Sequence, residues 1–356
     1  MSAADHLQAD IARGRPLCDE ALGAADLRGA RLAGGIFVRC DLRAAQLAAA
    51  DLTACTFTDC DLRGAVLAGA ALNGANFLRC DLQGVAAAGL DIDRLVLLQC
   101  RLDAGDWQGL QLQQGVLTRC VLAGTRFTGA RLARSALIEC ALDGADLRDL
   151  RLERSALPKA DLRRALVAGW QAEACVMTGA DLSGLALAGM LLPRCNLQDA
   201  RLAGTDLSGA ALAGACLLGA QLDGTRLDGA RAAQALFVGS RWQGVAAAGM
   251  DLTGAVLKQA EIAQTCLDGA RLGGASLARA QLSGSSLVAA DLRLADLSHA
   301  RFAGCDLSRA DLRHSRQHAT QFERCQGKGA AAAPVYGTDH DLLEAERAAG
   351  ELETSS

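Results

Sequence analysis

The sequence predicts an all-β repeat fold, a solenoid built from one short unit. A large apolar residue returns at every fifth position, and counting in fives from Leu22 to Phe322 gives 61 positions without insertion or deletion. Of these positions, 56 hold Leu, Phe, Ile, Val, Met or Trp. A period of five fits neither the period of about 3.6 residues of a helix nor the period of about 2 of a strand, so it indicates a repeat architecture.

Small residues complete each unit. Ala, Cys, Ser or Thr most often stands two places before the large residue, and Asp, Asn, Arg or Gln often precedes it directly. The segments 25–29, 145–149, 180–184 and 310–314 read Ala-Asp-Leu-x-x and resemble the repeat unit of pentapeptide-repeat proteins. The resemblance spans residues 21–325 and implies a right-handed quadrilateral parallel β-helix. In that fold four units make one coil, the large and the small residue point inward, and the other three point outward. Roughly fifteen coils about 4.8 Å apart would form a rod about 70 Å long.

The residues on either side of the repeat are expected to form a cap and a tail. Residues 1–20 break the five-residue register, and a helix from Asp5 to Arg13 would have Leu7 and Ile11 on one face. Because a solenoid exposes its core at each end, we interpret this segment as an N-terminal cap, with a docking peptide for a partner as the alternative. Residues 326–356 are interpreted as a linker and a flexible acidic tail with a short helix from Asp339 to Ala349. This tail is either disordered or binds a partner.

The chain contains fourteen cysteines, and most of them follow the repeat. Six of them recur every twenty residues and would stack as one inward ladder: Cys40, Cys60, Cys80, Cys100, Cys120 and Cys140. Zinc needs four converging ligands, and parallel Cβ directions do not suit a disulfide, so a straight ladder fits neither. Free cysteine packs well as a small core residue, so we expect a packing role, with redox or metal chemistry as the alternative.

Two segments indicate how the core keeps its volume. Residues 83–92 and 243–252 nearly match across 160 residues, which is eight coils, and both have Ala where a large residue is expected. Val85 and Leu90 in the first segment, and Val245 and Met250 in the second, occupy neighbouring inward positions. The total side-chain volume is therefore roughly kept, as tight packing requires.

One face of the predicted solenoid differs from the other three. Over twelve coils, the outward positions beside the column from Phe37 to Leu257 hold 12 Val, Ile or Leu in 24 places, against 2, 1 and 1 on the other faces. We call these residues the apolar face: Ile36, Val38, Leu78, Val96, Leu98, Val116, Ile138, Val176, Leu218, Leu236, Val238 and Val256. One interpretation is β-propensity alone, since Val and Ile suit strands. The other is a contact surface for a second copy, another protein or the chain's own tail, because a patch this long exceeds the largest patch of a typical monomer.

Charged residues run beside the apolar face and partly alternate in sign. We call them the charged rim: Arg39, Asp59, Arg79, Arg119, Glu139 and Lys159. At the edge of an interface such a column would set the register of a bound partner.

The sequence predicts no enzyme, no cofactor and no metal site. It contains no P-loop, dinucleotide fingerprint, HExxH or GxSxG motif, and its outward Asp residues show no convergent acid–base pair. His299, His314 and His318 lie near Cys305 and Cys325 in the chain, but both cysteines point inward by register. A metal site and a small-molecule substrate are therefore not expected.

Net charge separates two classes of function. The resembled family includes topoisomerase-protecting DNA mimics, and a duplex carries one negative charge per about 1.7 Å, so a mimic about 70 Å long would need dozens of them. Residues 1–20 carry −2 and residues 326–356 carry −4, while the whole chain carries −4, so the repeat itself carries +2. A gyrase-protecting DNA mimic is therefore the less favoured alternative, and a nucleic-acid partner is not expected.

The predicted function is a non-catalytic scaffold or adaptor that binds a protein partner or a second copy through the apolar face. The N-terminus lacks the pattern of a signal peptide, and no apolar run of 18 residues exists, which predicts a cytoplasmic bacterial protein without a membrane span. Residues 7–17, which lead into the repeats, resemble the lead-in of pentapeptide-repeat proteins associated with bacterial type VI secretion. That resemblance implies export by a signal-independent secretion system as an alternative location.

Overall fold

The chain winds as a parallel β-solenoid. The structure is a computed structural model that describes residues 3–353, with side chains described through residue 346. It divides into two compact units, unit 1 (Met1–Leu182) and unit 2 (Ser183–Ser356). In each unit residues pair with residues twenty positions later, as in Phe37↔Phe57 and Trp242↔Ile262, so one turn holds twenty residues. The predicted parallel β-helix is confirmed.

Unit 1 contains a helix and two parallel sheets. Helix α1 (Ala3–Ala12) confirms the helix predicted near residues 5–13, and its Leu7 is fully buried. The first sheet has seven strands in the spatial order β1 (Leu17–Cys18), β2 (Ile36–Val38), β3 (Thr56–Thr58), β4 (Asn76–Leu78), β6 (Val96–Leu98), β8 (Val116–Thr118) and β10 (Ala136–Ile138). The second has five in the order β12 (Gln171–Glu173), β11 (Arg151–Glu153), β9 (Arg131–Ala133), β7 (Gln111–Gln113) and β5 (Asp91–Asp93). Single parallel bridges, such as Asp41↔Asp61, pair the remaining sides.

Unit 2 contains one five-stranded parallel sheet and a C-terminal helix. The strands follow in order: β13 (Arg241–Gln243), β14 (Glu261–Ala263), β15 (Gln281–Ser283), β16 (Arg301–Ala303) and β17 (Gln321–Glu323). Single bridges such as Cys216↔Leu236 pair the other sides. Helix α2 (His340–Glu353) begins one residue after the predicted start at Asp339. Within residues 3–353, no helix is long and apolar enough to cross a membrane.

The five-residue period decides which side chains enter the core. Leu95 and Leu97 are each 1% exposed, whereas Val96 between them faces outward, because successive strand residues point to opposite sides. Identical residues twenty positions apart lie directly above one another. The rings of Phe37, Phe57 and Phe77 therefore stack, with centroids 4.7 and 4.6 Å apart, close to the spacing of neighbouring strands.

Core volume is adjusted within single units. Val85 and Ala87 are both fully buried, as are Ala247 and Met250 in the matching segment of unit 2, in line with the predicted compensation. At residue 105 the inward small position is glycine. A Cβ there would lie 2.9 Å from Trp107 Nε1 and 3.0 Å from the carbonyl oxygen of residue 102, so the indole already fills the space that alanine occupies in other units.

The corners of the coils share one backbone conformation. At almost every corner one residue has a positive φ, and glycine often occupies it because it has no Cβ to clash. Other residue types also occupy this position, including Arg39 (φ 53°), His299 (φ 59°) and His314 (φ 60°). The charged rim residues all lie at such corners.

Solenoid pairing continues past residue 325, where the sequence analysis placed a linker. Three bridges extend it: Asp306↔Gln326, Asp311↔Ala331 and Arg316↔Tyr336. The five-residue pattern of large apolar residues is absent here because the central positions are Gly327, Ala332 and Gly337. Parallel pairing uses backbone N–H and C=O groups, which every residue other than proline supplies in full, so the ladder extends without the leucine pattern.

Candidate functional site

Seven of the eight apolar-face residues of unit 1 lie on the outer side of its seven-stranded sheet, and Val176 is joined to Ala156 by a single bridge. Register places Val96 and Leu98 on either side of buried Leu97, and pairs Val96 with Val116 on β8. None of the eight residues of the apolar face in unit 1 is buried. Four of them are exposed by 36 to 46%: Ile36, Leu98, Val116 and Val176.

Unit 2 carries the remaining four residues of the apolar face. Leu218 is 38% exposed and Leu236 is 40% exposed, while Val238 and Val256 are half-buried. Bridges rather than extended strands hold this column together, with Leu236 paired to Val256. The same column then continues through polar positions: Ser276, Asp296 and Arg316.

The apolar face of unit 1 is modest in area. Seven strands about 4.8 Å apart and three residues wide cover roughly 29 by 10 Å, or about 300 Å². The largest apolar patch of a typical monomer covers about 300–600 Å². The patch also coincides with the longest continuous sheet, where β-propensity favours Val and Ile. Area alone therefore does not distinguish a contact surface from a flat strand face.

The charged rim is largely neutralised within the chain. Three ion pairs join neighbouring coils at N–O distances of 2.7 Å: Asp19–Arg39, Asp59–Arg79 and Arg119–Glu139. The hydrogen-bonded guanidinium of Arg79 lowers the pKa of Asp59, and that of Arg119 lowers the pKa of Glu139. The charge of Lys159 also lowers the pKa of Glu139. Because both partners are exposed, each pair adds little to stability, and its main effect is to cancel charge.

Arginine also neutralises the outward aspartates on the other faces. Arg148 contacts Asp146 two residues earlier at 2.6 Å and, through this hydrogen bond, lowers the pKa of that carboxyl to about 2. The same Asp-x-Arg arrangement recurs along both units, in pairs such as Asp41–Arg43, Asp61–Arg63, Asp291–Arg293 and Asp311–Arg313. The acidic columns are therefore not a continuous array of negative charge.

The cysteine ladder lies in the core. The six ladder cysteines are free thiols, and five of them are buried. The Sγ of Cys80 donates to the carbonyl oxygen of Phe57, 23 residues earlier, at 3.4 Å, and Cys100 makes the same bond to Phe77. The hydroxyl of Ser155 donates to the carbonyl of Leu132 in the same way at 3.0 Å. A thiol and a hydroxyl thus fill one structural role, that of a small inward donor.

Three side chains converge at the C-terminal end of unit 2, and we call them the C-terminal cluster: His299, His318 and Glu346. Nε2 of His299 lies 3.2 Å and Nε2 of His318 lies 3.3 Å from Oε2 of Glu346. The two rings meet edge to face with centroids 5.1 Å apart. The hydrogen bond from His318, followed by the nearby charge of His299, lowers the pKa of Glu346.

The sequence analysis singled out both histidines but not their third partner. Glu346 is on α2, and no spacing pattern in the sequence reports where that helix lies. His314 is an exposed corner residue outside the cluster, and Cys325 donates instead to the carbonyl of Phe302 at 3.4 Å. The side chains that converge here are therefore a different set from the histidines and cysteines that lie close together in the sequence.

A cavity of about 580 Å³ adjoins the C-terminal cluster. Its walls include Asp296 and Arg316 from the column that continues the apolar face, and Leu342 and Glu346 from α2. The chain's own tail thus lies on the polar continuation of this column. The residues of the apolar face itself are not among the residues that line this cavity.

Sequence comparison places the repeats in a known family. The family described as pentapeptide repeat region matches residues 30–107, and the family described as pentapeptide repeats matches residues 111–149, 175–229, 237–274 and 275–313. Together these segments cover more than half of the chain. The chain belongs to the pentapeptide-repeat family. No curated protein matches the sequence significantly.

Solved structures of other pentapeptide-repeat proteins are similar to this one only in part. QnrB1, a plasmid-mediated fluoroquinolone resistance protein, is 19% identical, with a TM-score of 0.33 over 56% of this chain and 87% of its own. HetL, involved in heterocyst differentiation regulation in the cyanobacterium Nostoc, is 25% identical, with a TM-score of 0.24 over 70% of this chain and 90% of its own. Rfr23 from the cyanobacterium Cyanothece is 21% identical, with a TM-score of 0.13 over 47% and 91%.

Proposed function

We propose that this pentapeptide-repeat protein is a non-catalytic interaction scaffold whose apolar face binds a second copy of the chain. The observation that supports it is the exposure of Ile36, Leu98 and Val116 on one continuous sheet, beside an internally paired charged rim. Covering this apolar face costs little desolvation free energy, because the charged groups of the rim that would be desolvated already have ion-pair partners.

A second copy fits this surface better than an arbitrary protein for two reasons. Both copies present side chains at the same repeat of about 4.8 Å, so the ridges of one can settle between the ridges of the other along the whole column. Pairing within the chain cancels most of the rim charge in each copy, so like charges do not oppose the approach.

The expected association is weak. The unit 1 patch of about 300 Å² would bury about 600 Å² over two copies, below the roughly 1,200 Å² of a stable interface. We therefore expect a concentration-dependent dimer with a dissociation constant roughly in the micromolar to millimolar range.

Sedimentation equilibrium over a wide range of protein concentration tests the proposal. The wild type should shift from monomer to dimer, and Leu98→Glu combined with Val116→Glu should remain monomeric. Gln111→Glu with Gln113→Glu adds the same charge on a different face and should dimerise like the wild type. A wild type that stays monomeric at the highest concentration, or identical curves for both double variants, would refute the proposal. If the wild type captures another protein and the Leu98→Glu, Val116→Glu variant does not, that protein rather than a second copy binds the apolar face.

Charge argues against the DNA-mimic alternative. Several outward Asp residues carry arginine partners, as in Asp61–Arg63 at 2.5 Å and Asp41–Arg43 at 2.6 Å, and the repeat carries a net charge of +2 by composition. A phosphate-like array requires uncompensated negative charge along the axis. Protection of gyrase supercoiling against a quinolone by this protein would restore the alternative.

The suggested link with type VI secretion is a narrower form of the scaffold proposal. It rests on residues 7–17 alone, which form the end of α1 and the entry to β1. Co-purification of the full chain with secretion-system components, lost when residues 7–17 are replaced, is the result that would support it.

A further inference from the structure

We propose that His299, His318 and Glu346 bind one first-row transition-metal ion, with Zn²⁺ the best fit, and that the ion fastens helix α2 to the last coils of unit 2. The three ligand atoms lie within 4.8 Å of one another and come from three separate parts of the chain. Nothing in the proposed scaffold function uses this site, so the two proposals stand independently.

Two of the three distances between the ligand atoms match those of a metal coordination sphere, and the third is below 4.8 Å. Tetrahedral Zn²⁺ has ligand bonds of about 2.0–2.1 Å to nitrogen and oxygen, which places neighbouring ligand atoms roughly 3.3 Å apart. The two measured edges are 3.2 Å from His299 Nε2 to Glu346 Oε2 and 3.3 Å from His318 Nε2 to the same oxygen. The fourth position would face the adjoining cavity, where water completes the sphere.

The ligand types select the ion. Two imidazoles and one carboxylate suit Zn²⁺ and its transition-metal neighbours, whereas Mg²⁺ and Ca²⁺ prefer oxygen ligands alone. The imidazole of His318 is only 7% exposed, so the surrounding residues fix its position. The cavity walls add Arg279 and Arg316 against Asp296 and Asp339, which balance formally, so Glu346 supplies the negative charge that faces the ion.

Metal binding requires a change of tautomer at His318. The backbone N–H of Asp339 donates to Nδ1 of His318 at 3.1 Å, so a neutral ring carries its proton on Nε2 and donates it to Glu346. To coordinate the ion, Nε2 must lose that proton and Nδ1 must gain one. The number of ring protons is unchanged, and the Asp339 N–H loses its acceptor. Coordination therefore replaces two hydrogen bonds, from the Asp339 N–H to His318 and from His318 to Glu346, with metal bonds at His318 and Glu346.

The test is Zn²⁺ binding to the full chain after removal of metal with EDTA. Calorimetry should give one site per chain, and Co²⁺ in place of Zn²⁺ should give the intense visible bands of tetrahedral coordination. Cys18, the one exposed thiol, is replaced by Ser in every sample so that it does not compete for the ion.

Two pairs of variants separate coordination from damage to the fold. His299→Asn and His314→Asn make the same change at corner residues with φ of 59° and 60°, and Asn tolerates that conformation. Only His299→Asn should weaken binding, by roughly tenfold or more, because it removes one of three ligands. On α2, Glu346→Gln should do the same and Glu344→Gln should not. Absence of saturable binding in the wild type, or equal binding by both members of either pair, would overturn the proposal.

Discussion

For the replacement of Gly105 by alanine, residue frequency in the repeat and packing in the core predict opposite changes in stability. Alanine is the common residue at this inward position, and removing a glycine from a compatible backbone usually stabilises a protein by about 0.4–1 kcal/mol. The structure predicts the opposite. The new Cβ would lie 2.9 Å from Trp107 Nε1 and 3.0 Å from the Leu102 carbonyl oxygen, in a core where Trp107 is 2% exposed. Overpacking of this kind costs about 1–3 kcal/mol, so we expect a net loss of about 1–2 kcal/mol.

A double-mutant cycle identifies the indole as the cause. Trp107→Leu empties the space, so Gly105→Ala in that background should be neutral or stabilising, and the coupling energy between the two sites should be about 2 kcal/mol. Gly273→Ala is the matched control, because the nearest atoms to its Cβ are 3.8 and 3.9 Å away and its φ is not positive. It should stabilise the protein by about 0.4–1 kcal/mol.

Hydrogen exchange followed by mass spectrometry is the appropriate assay. Solenoid repeats contact mainly their neighbours and open in segments, so a local free energy of opening around residues 96–118 is better defined than a global value. If Gly105→Ala raises that free energy as much as Gly273→Ala raises the free energy around residue 273, the packing argument is refuted.

Acid and thiol chemistry give two further predictions. Arg148 lowers the pKa of Asp146 to about 2, below the value of about 3.9 in an unfolded chain, so this carboxylate stabilises the fold above about pH 4 and progressively less as the pH falls towards 2. The urea midpoint of the wild type should therefore fall more between pH 6 and pH 3 than that of Asp146→Asn; equal losses would contradict this account. Among the fourteen cysteines, iodoacetamide should modify exposed Cys18 first and buried Cys80 only after unfolding, as read by peptide mass spectrometry. Equal rates at Cys18 and Cys80 would show that the ladder opens.

Most of the fold was predictable because the period assigns a direction to every side chain. Once Leu97 is placed inside, Val96 and Leu98 must lie outside, and Cys100 must stack on Cys80 twenty residues earlier. No long-range information is needed for these statements, since neighbouring coils are related by a constant step along the sequence.

The parts that could not be predicted depend on geometry that the period does not contain. Pairing from Gln326 to Tyr336 uses backbone groups and leaves no pattern of large residues. The charges of Arg79 and Asp59 were visible in the sequence, but whether they face a partner or each other depends on the directions of long side chains. Glu346 reaches His318 only because α2 folds back onto the last coils.

The constant step of twenty residues also limits how genes for such a chain can change in length. An insertion of one pentapeptide keeps the leucines inside but moves every later outward residue round to the neighbouring side, which would break the apolar column. Gain or loss of a whole coil leaves all sides in place. The near identity of residues 83–92 and 243–252, eight whole coils apart, is what duplication in such complete steps would leave behind.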